Sequence, residues 1–274
     1  MMQDREGHAH DELQQRVVSI VSDAQDRASE VGDALFSVAG FLVSRPSVRR
    51  ALTDTGRAPE DRESFIRGLI ADQVDAAAVD VVAACARERW SGPGELSAAV
   101  EEFGVLAHLL AARFNGRLDT VEEEIFRFGQ VVRGDRELRS ALLNTAAPVE
   151  SLRTLVRTLV EGKAVPETTR LVEYAVTERR MRSLEAQLEH IMALAAKQRE
   201  RRIAVAHVAA PLSPQQRERL ERNLAERAGG PVLLNVVVEP GLVGGVRVEF
   251  DDEVVDGTVT SRIDAARRRL AVGM

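Results

Sequence analysis

The chain has 274 residues, of which 45% are apolar, 29% charged and 4% aromatic. This length suggests two or three domains, and an excess of aliphatic over aromatic residues is typical of packed helices. The net charge of −6 argues against a nucleic-acid partner, because binding to phosphates requires a basic surface.

The first 13 residues are polar and include His8 and His10. They lack the apolar stretch of a signal peptide, and two histidines without further ligands predict a polar tail rather than a metal site. The single cysteine, Cys85, stands in an apolar run and is expected to be a small buried residue. No segment approaches the roughly 20 apolar residues that cross a bilayer, so membrane association is expected only through a partner.

An internal repeat relates residues 35–90 to residues 125–180 without a gap, at a constant shift of 90 positions. Phe36, for example, coincides with Phe126, and many apolar positions match in kind. Because the repeat keeps both the identities and the spacing of the apolar residues, it predicts a duplicated helical unit.

In the second copy, apolar residues recur three and four positions apart, which predicts amphipathic helices. Pro148 and Pro166 are placed to open helices, since a missing N–H in the first turn costs no hydrogen bond. Gly162 is placed to end one. The predicted helices are 118–133, 135–143, 148–162, 166–179 and 183–202.

The helix predicted at 96–114 carries two apolar stripes. They consist of Leu96, Val100, Phe103, Ala107, Leu110 and Phe114, and of Val105, Leu106, Leu109 and Ala112. A helix covered on one side needs a single stripe, so two stripes indicate contact with two layers. The second layer is either a partner helix laid in a groove or the neighbouring copy of the repeat, and both alternatives are open.

Beyond residue 202 the pattern changes to short strands around one helix. Ser213 and Gln216 have the spacing of a capping box that opens this helix. The segment 231–239 is predicted as a buried strand, and the alternation in 243–250 predicts a half-exposed strand. Further strands are expected at 203–209 and at Val254-Val255, and a last helix after Gly257.

These elements predict a mainly α protein with two repeated helical-bundle units, followed by a small β-α-β-β-α module. The expected domains are 1–95, a partial duplicate of the bundle without a distinct first helix; 96–200, the helical-bundle domain; and 201–274, the C-terminal α+β module. The segment 91–95 is expected to link the two copies.

The C-terminal module carries motifs that characterise a known family. They are the pair Gly244-Gly245 in a strand, the acidic turn Asp251-Asp252-Glu253, and Asp256-Gly257 before the last helix. With them, the stretch resembles the delta subunit of F-type ATP synthases, the oligomycin-sensitivity-conferring protein family of mitochondria. APLSPQQRERL and RGDRELRSALLN also resemble segments of that family. The resemblance covers residues 96–274, and the extra residues 1–95 make the chain similar to an elongated actinobacterial form.

The resemblance implies a non-catalytic subunit of the peripheral stalk, without cofactor or metal. Such a subunit links the catalytic head to the b subunit, so that proton-driven rotation yields ATP. One copy per complex is expected, at the cytoplasmic face of the plasma membrane. N-terminal helices of the alpha subunits would bind the bundle, with candidate contacts at Val105, Leu106, Leu109, Leu171 and Ala175. The b subunit would bind the C-terminal module, with candidate contacts at Gly244, Gly245, Val259 and Ile263.

The alternative is a helical-repeat adaptor, unrelated to ATP synthesis, that ends in a similar module. An enzyme is not indicated, because no Ser-His-Asp or Cys-His arrangement is evident and Gly244-Gly245 matches no phosphate-binding loop. The run Arg267-Arg268-Arg269 suits the negative end of a helix dipole. It is expected to be a solvated face, with a contact to the b subunit or to anionic lipid as the alternative.

Overall fold

The computed structural model describes residues 2–144, 146–178, 183–199, 202–228, 232–239, 241–242, 244–250 and 253–256. The chain forms two compact units, Met1–Arg199 and Glu200–Met274. The first consists of helices, and the second contains a small mixed sheet with one described helix. The predicted mainly α fold is therefore confirmed.

The first unit contains eleven described α-helices and one short 3-10 helix at Gln25–Arg27. The first five are α1 (Met2–Asp23), α2 (Ala28–Ser44), α3 (Pro46–Thr53), α4 (Pro59–Ile70) and α5 (Ala76–Arg87). The others are α6 (Pro93–Phe114), α7 (Leu118–Gly134), α8 (Arg136–Leu142), α9 (Val149–Val160), α10 (Pro166–Thr177) and α11 (Leu184–Arg199).

The helix boundaries reproduce the shift of 90 positions found in the sequence. Helices α2, α4 and α5 have the same bounds as α7, α9 and α10 once 90 is added. Helix α1, shifted in the same way, falls on α6 to within one residue. The expectation that the first copy lacks a distinct first helix is therefore wrong, because the polar sequence of α1 hid its helical periodicity.

Local chemistry explains where several helices begin and end. Proline occupies the first turn of α3, α4, α6 and α10, as its missing N–H allows. The side chain of Asp135 accepts hydrogen bonds from the N–H groups of Glu137 and Leu138 at the start of α8, which satisfies donors that lack an intrahelical partner. Gly162, with φ of 67°, follows α9 in a conformation that favours glycine.

Helix α6 belongs to both copies of the repeat. It begins at Pro93, inside the segment 91–95 that was predicted as a linker. It packs on α1, α2, α3 and α5 of the first copy and on α7, α10 and α11 of the second. The copies thus share a helix inside one compact unit instead of separating at residue 95.

The core of the second copy combines both ends of its sequence. It contains Val105, Leu109 and Ala112 from α6, together with apolar residues of α7 to α11. Fourteen of the 22 residues of α6 are buried, which is what an all-round apolar helix requires. Its two stripes therefore have two covering layers within the chain.

The second unit is a four-stranded sheet with one described helix, α12 (Pro214–Ala228). The strands are β1 (Arg202–Val208), β2 (Val232–Val238), β3 (Val246–Phe250) and β4 (Glu253–Asp256), in the order β2-β1-β3-β4. Strands β1 and β2 are parallel, and the other neighbours are antiparallel. Its core contains Ala204, Ala206, Leu224, Leu234 and Val248.

Two predictions for this unit can be compared directly with the structure. The capping box is confirmed, since Gln216 N–H donates to Ser213 Oγ at 3.3 Å and Ser213 N–H to Gln216 Oε1 at 2.8 Å. The buried strand at 231–239 is corrected: β2 is an edge strand of the described sheet. The helix predicted after Gly257 lies outside the described residues.

Candidate partner-binding surfaces

The five side chains predicted to contact the alpha subunits are core residues in this chain. Val105, Leu106, Leu109, Leu171 and Ala175 are each 1% exposed or less. All except Leu106 belong to the core of the second copy. They do not form an open groove wall, because the repeat covers both stripes of α6 and its own bundle covers α10. A partner of these helices would have to contact other side chains.

A stacked aromatic seam joins the two copies. The ring of Phe36, on α2, lies parallel to the ring of Tyr174, on α10, with centroids 4.4 Å apart and 5° between the planes. The ring of the buried His108, on α6, stacks on Phe36 at 5.3 Å. Sequence reasoning identified the pairing of Phe36 with Phe126 but not this seam, because it depends on helices far apart in the chain.

A polar cleft lies beside the seam and is lined by Asp33, Arg153, Arg157, Arg170 and Glu173 among others. Its arginines are paired: Arg157 Nε lies 2.5 Å from Glu173 Oε1, and Arg170 lies 3.3 Å from Asp33. The bond to Glu173 raises the pKa of Arg157. These groups tie α2, α9 and α10 together, so the cleft has a structural role.

Charge at this seam also affects Asp33. Its partial burial raises the pKa, but the neighbouring His108 imidazole and the guanidinium groups of Arg170 and Arg153 outweigh that effect and hold the pKa below its ordinary value. The carboxylate therefore stays ionised near neutral pH and anchors α2 on the second copy.

The face of α7 that corresponds to the seam is open. Phe126, the equivalent of Phe36, is 53% exposed. It borders a shallow apolar groove between α7 and α11, lined also by Gly129, Leu184, Leu188 and Met192. Sequence reasoning missed this surface. A signal was present, because Phe126 repeats Phe36 in the second copy, and no third copy of the repeat follows that could cover it.

The residues predicted to contact the b subunit lie at the end of the second unit. Gly244 and Gly245 have φ of 69° and 86°, and they stand in the turn before β3, not inside a strand as expected. Their backbone conformation explains the glycines, because side chains disfavour it. Val259 and Ile263 lie outside the described residues.

The edge strand β2 offers an apolar surface that the sequence did not reveal. Val237 and Val238 are both exposed, although the run of apolar residues around them predicted a buried strand. Only the strand order shows that β2 has a single neighbour in the described sheet. An exposed edge can pair with or pack against another chain.

The described ranges contain neither a metal-binding cluster nor a membrane-spanning helix. No three His, Cys, Asp or Glu side chains in these ranges are grouped so that they could hold a metal ion. Nor is any helix within them long and apolar enough to cross a membrane. The thiol of Cys85 is buried, and burial raises its pKa.

The sequence of this chain is similar to those of several known proteins. The family model "ATP synthase delta (OSCP) subunit" matches residues 105–270. The ATP synthase subunit delta of Beutenbergia cavernae is 42% identical over 252 residues, 92% of this chain and 93% of the relative. Those of Streptomyces griseus and Streptomyces coelicolor are 39% identical over 257 residues, 94% of this chain and 95% and 94% of their own lengths.

These matches extend into the first copy of the repeat. Only 179 residues follow residue 95 (274 minus 95), fewer than the 252 residues of the first match. Fold, surfaces and matches together define a non-catalytic structural subunit of a larger assembly. The chain belongs to the ATP synthase delta (OSCP) subunit family. Its role is that of a peripheral-stalk subunit of the ATP synthase complex.

Proposed function

We propose that the two units bind two different partners. The helical unit, Met1–Arg199, receives N-terminal helices of the alpha subunits, and the second unit, Glu200–Met274, holds the b subunit. The assembly then lies at the cytoplasmic face of the plasma membrane, with one copy of the chain per complex. The family match across residues 105–270 is the observation that carries this proposal, because it spans both compact units.

The division into units gives this arrangement a mechanical basis. Each interface can be weak, because the second forms at an effective concentration in the millimolar range once the first has formed, as for short linkers. The chain then stays attached under torque while neither partner alone is bound tightly. The proposal concerns the helical unit as a whole, since the five side chains first named for the alpha contact are buried.

Calorimetric titration of the full chain tests the proposal. One peptide copies the N-terminal helix of the alpha subunit, and the other copies the C-terminal part of the b subunit. Both are expected to bind, independently of each other. Ile263→Asp is expected to weaken the binding of the b peptide only. Glu150→Gln, at an exposed position of α9, should leave the affinities for both peptides unchanged. If neither peptide binds the wild-type chain, the proposed function is wrong.

A further inference from the structure

Two equivalent helix faces of the repeat differ in how far they are exposed. Helix α2 carries Asp33 and Phe36, and helix α7 carries Glu123 and Phe126 at the positions shifted by 90. Both helices therefore present a carboxylate and a phenyl ring one turn apart on the same face. The face of α2 is partly buried against other helices of the chain, and these contacts show what such a face can bind.

Two helices contact this face of α2: α6 packs along it and stacks His108 on Phe36, and α10 adds two side chains. Tyr174 stacks on Phe36 with centroids 4.4 Å apart. Arg170, one turn earlier on the same helix, lies 3.3 Å from Asp33. An arginine and an aromatic residue four positions apart thus match the carboxylate and the phenyl ring, and the charge pair fixes the register of the ring stack.

Among the described residues of the helical unit, no aromatic side chain stacks on the corresponding face of α7. Phe126 is 53% exposed and Glu123 is 60% exposed. Glu123 is paired with Arg127 on its own helix. An exposed pair within one helix contributes little, so Glu123 can exchange Arg127 for a cation of another chain.

The open groove beside Phe126 has a cause in the sequence. In the first copy, α2 and α6 approach closely at Gly32 and Gly104, where added Cβ atoms would lie 2.7 Å from His108 and 2.6 Å from Phe36. The equivalent positions in α7 and α11 are Glu122 and Leu194. These larger side chains prevent the same approach, and the apolar groove between α7 and α11 remains.

We propose that the α7–α11 groove binds an amphipathic helix of another subunit, which places an aromatic side chain on Phe126 and a basic side chain, four positions earlier, on Glu123. The occupant is a different chain. In this sequence only Arg170 and Tyr174 form a basic residue followed by an aromatic one four positions later, and both are engaged in the seam. A second copy of the chain therefore has no free segment of this kind.

The inference deepens the proposed function, because it describes the chemistry of one partner helix and rests on the chain being part of the ATP synthase complex. The test replaces Phe126 by p-benzoylphenylalanine in the chain within the purified complex. The matched control places the same photoreactive residue at Val149, which is also exposed and apolar. Its equivalent in the first copy is Pro59, so this position does not repeat an aromatic residue. Irradiation and mass spectrometry identify the crosslinked segment.

The expected product joins position 126 to a helical segment of another subunit that contains Arg or Lys four positions before an aromatic residue. Glu123→Arg should then lower its yield about tenfold, and reversing the partner's basic residue to Glu should restore it. Glu150→Arg, which removes a similar exposed pair on α9, should leave the yield unchanged.

Several outcomes would overturn the inference. Position 126 could give no crosslink, the same products as position 149, or a crosslink to a second copy or to residues 200–274 of the same chain. The captured segment could also lack the basic and aromatic pattern, or the yield could fail to respond to Glu123→Arg. Each can occur while the alpha and b peptides still bind in calorimetry. The failure of this inference and that of the proposed function are therefore distinguishable.

Discussion

At the residue scale, the close packing of α2 on the shared helix α6 depends on two glycines. A Cβ atom on Gly32 would lie 2.7 Å from the ring of His108 and 3.1 Å from the carbonyl oxygen of Gly104. His108 is fully buried, so its ring has little room to move. The approach of α2 to α6 therefore depends on the absence of side chains, despite the cost of glycine inside a helix.

Gly32→Ala is expected to destabilise the first unit by about 1–2 kcal/mol, because overpacking outweighs the gain in helix propensity. Gly40→Ala is the matched control on the same helix, since nothing lies within 4 Å of the added Cβ. It should stabilise by about 0.5–1 kcal/mol. Urea unfolding of both variants measures the difference, and equal midpoints would contradict the close approach.

A second residue-scale feature is the carboxylate of Glu63, which joins α4 to α5. It lies 2.8 Å from Arg87 and 3.0 Å from Arg67. The hydrogen bond from Arg87 lowers the pKa of Glu63, and Arg67 adds to this effect against the opposing effect of burial. A lowered pKa means that the folded state favours the charged form.

The contribution of Glu63 to stability is therefore expected to depend on pH. It is fully present above the ordinary pKa of 4.5 and is lost as the pH falls through the lowered value in the folded state. Glu63→Gln should cost about 1 kcal/mol at pH 7, and the difference from the wild type should shrink below about pH 4. Urea midpoints between pH 3 and pH 7 provide the measurement, and a difference that grows on acidification would refute this account.

At the element scale, α6 is the first helix of one bundle and the last helix of the other. Its equivalents under the shift of 90 are α1 and α11. This double role explains why both of its stripes are buried. Of the two alternatives that the stripes left open, the structure shows the neighbouring copy as the second layer.

The two equivalent phenylalanines should respond differently to truncation. Phe36→Ala removes the ring that stacks on Tyr174 and is expected to cost about 2–3 kcal/mol. Phe126→Ala, on the equivalent but exposed position of α7, should change the free energy of unfolding of the isolated chain by less than about 0.5 kcal/mol. Thermal and urea unfolding of both variants supply the comparison. A large loss from Phe126→Ala would mean that the chain itself covers α7.

At the scale of the whole molecule, each of the two units has its own core. The core of the sheet, around Leu234 and Val248, contains only residues of the second unit. The core of the second helical copy contains only residues of the first unit. Separate cores allow one unit to open locally while the other stays folded. The proposed binding of two partners at once requires this kind of independence.

Leu234→Ala should expose that independence. Removing this buried leucine is expected to destabilise the second unit by about 2–4 kcal/mol. Hydrogen exchange in β1 should then accelerate roughly 30-fold or more, while exchange in α6 stays unchanged. Val237→Ala, on the same strand but exposed, is the control and should alter neither. Acceleration in α6 would show that the two units unfold as one.

Much of the fold could be predicted because its causes are local. Proline and glycine positions located the ends of α9 and α10, and the capping box located the start of α12. The polar first helix, α1, was missed because its apolar residues are sparse. The edge position of β2 was missed because an apolar run does not show how many neighbours a strand has.

The candidate contacts were harder to predict than the helices that carry them. The stripe with Val105 and Leu109 was correctly predicted as apolar, but it lies in the core. The open residue is Phe126, which has the same identity as the covered Phe36. Apolar character determines that a side chain avoids water, and it does not determine which neighbour covers it.

Residue order alone was enough to identify the family, the repeat and most helix boundaries, because these depend on sequence similarity and on interactions within a few positions. The folded chain was needed to show that α6 is shared, that Tyr174 of α10 stacks on Phe36 of α2, and that the equivalent Phe126 of α7 is exposed. Those features depend on contacts between residues up to about 140 positions apart, such as Phe36 with Tyr174, and on how closely two helices can approach when glycine stands at one crossing and Glu122 and Leu194 at the other.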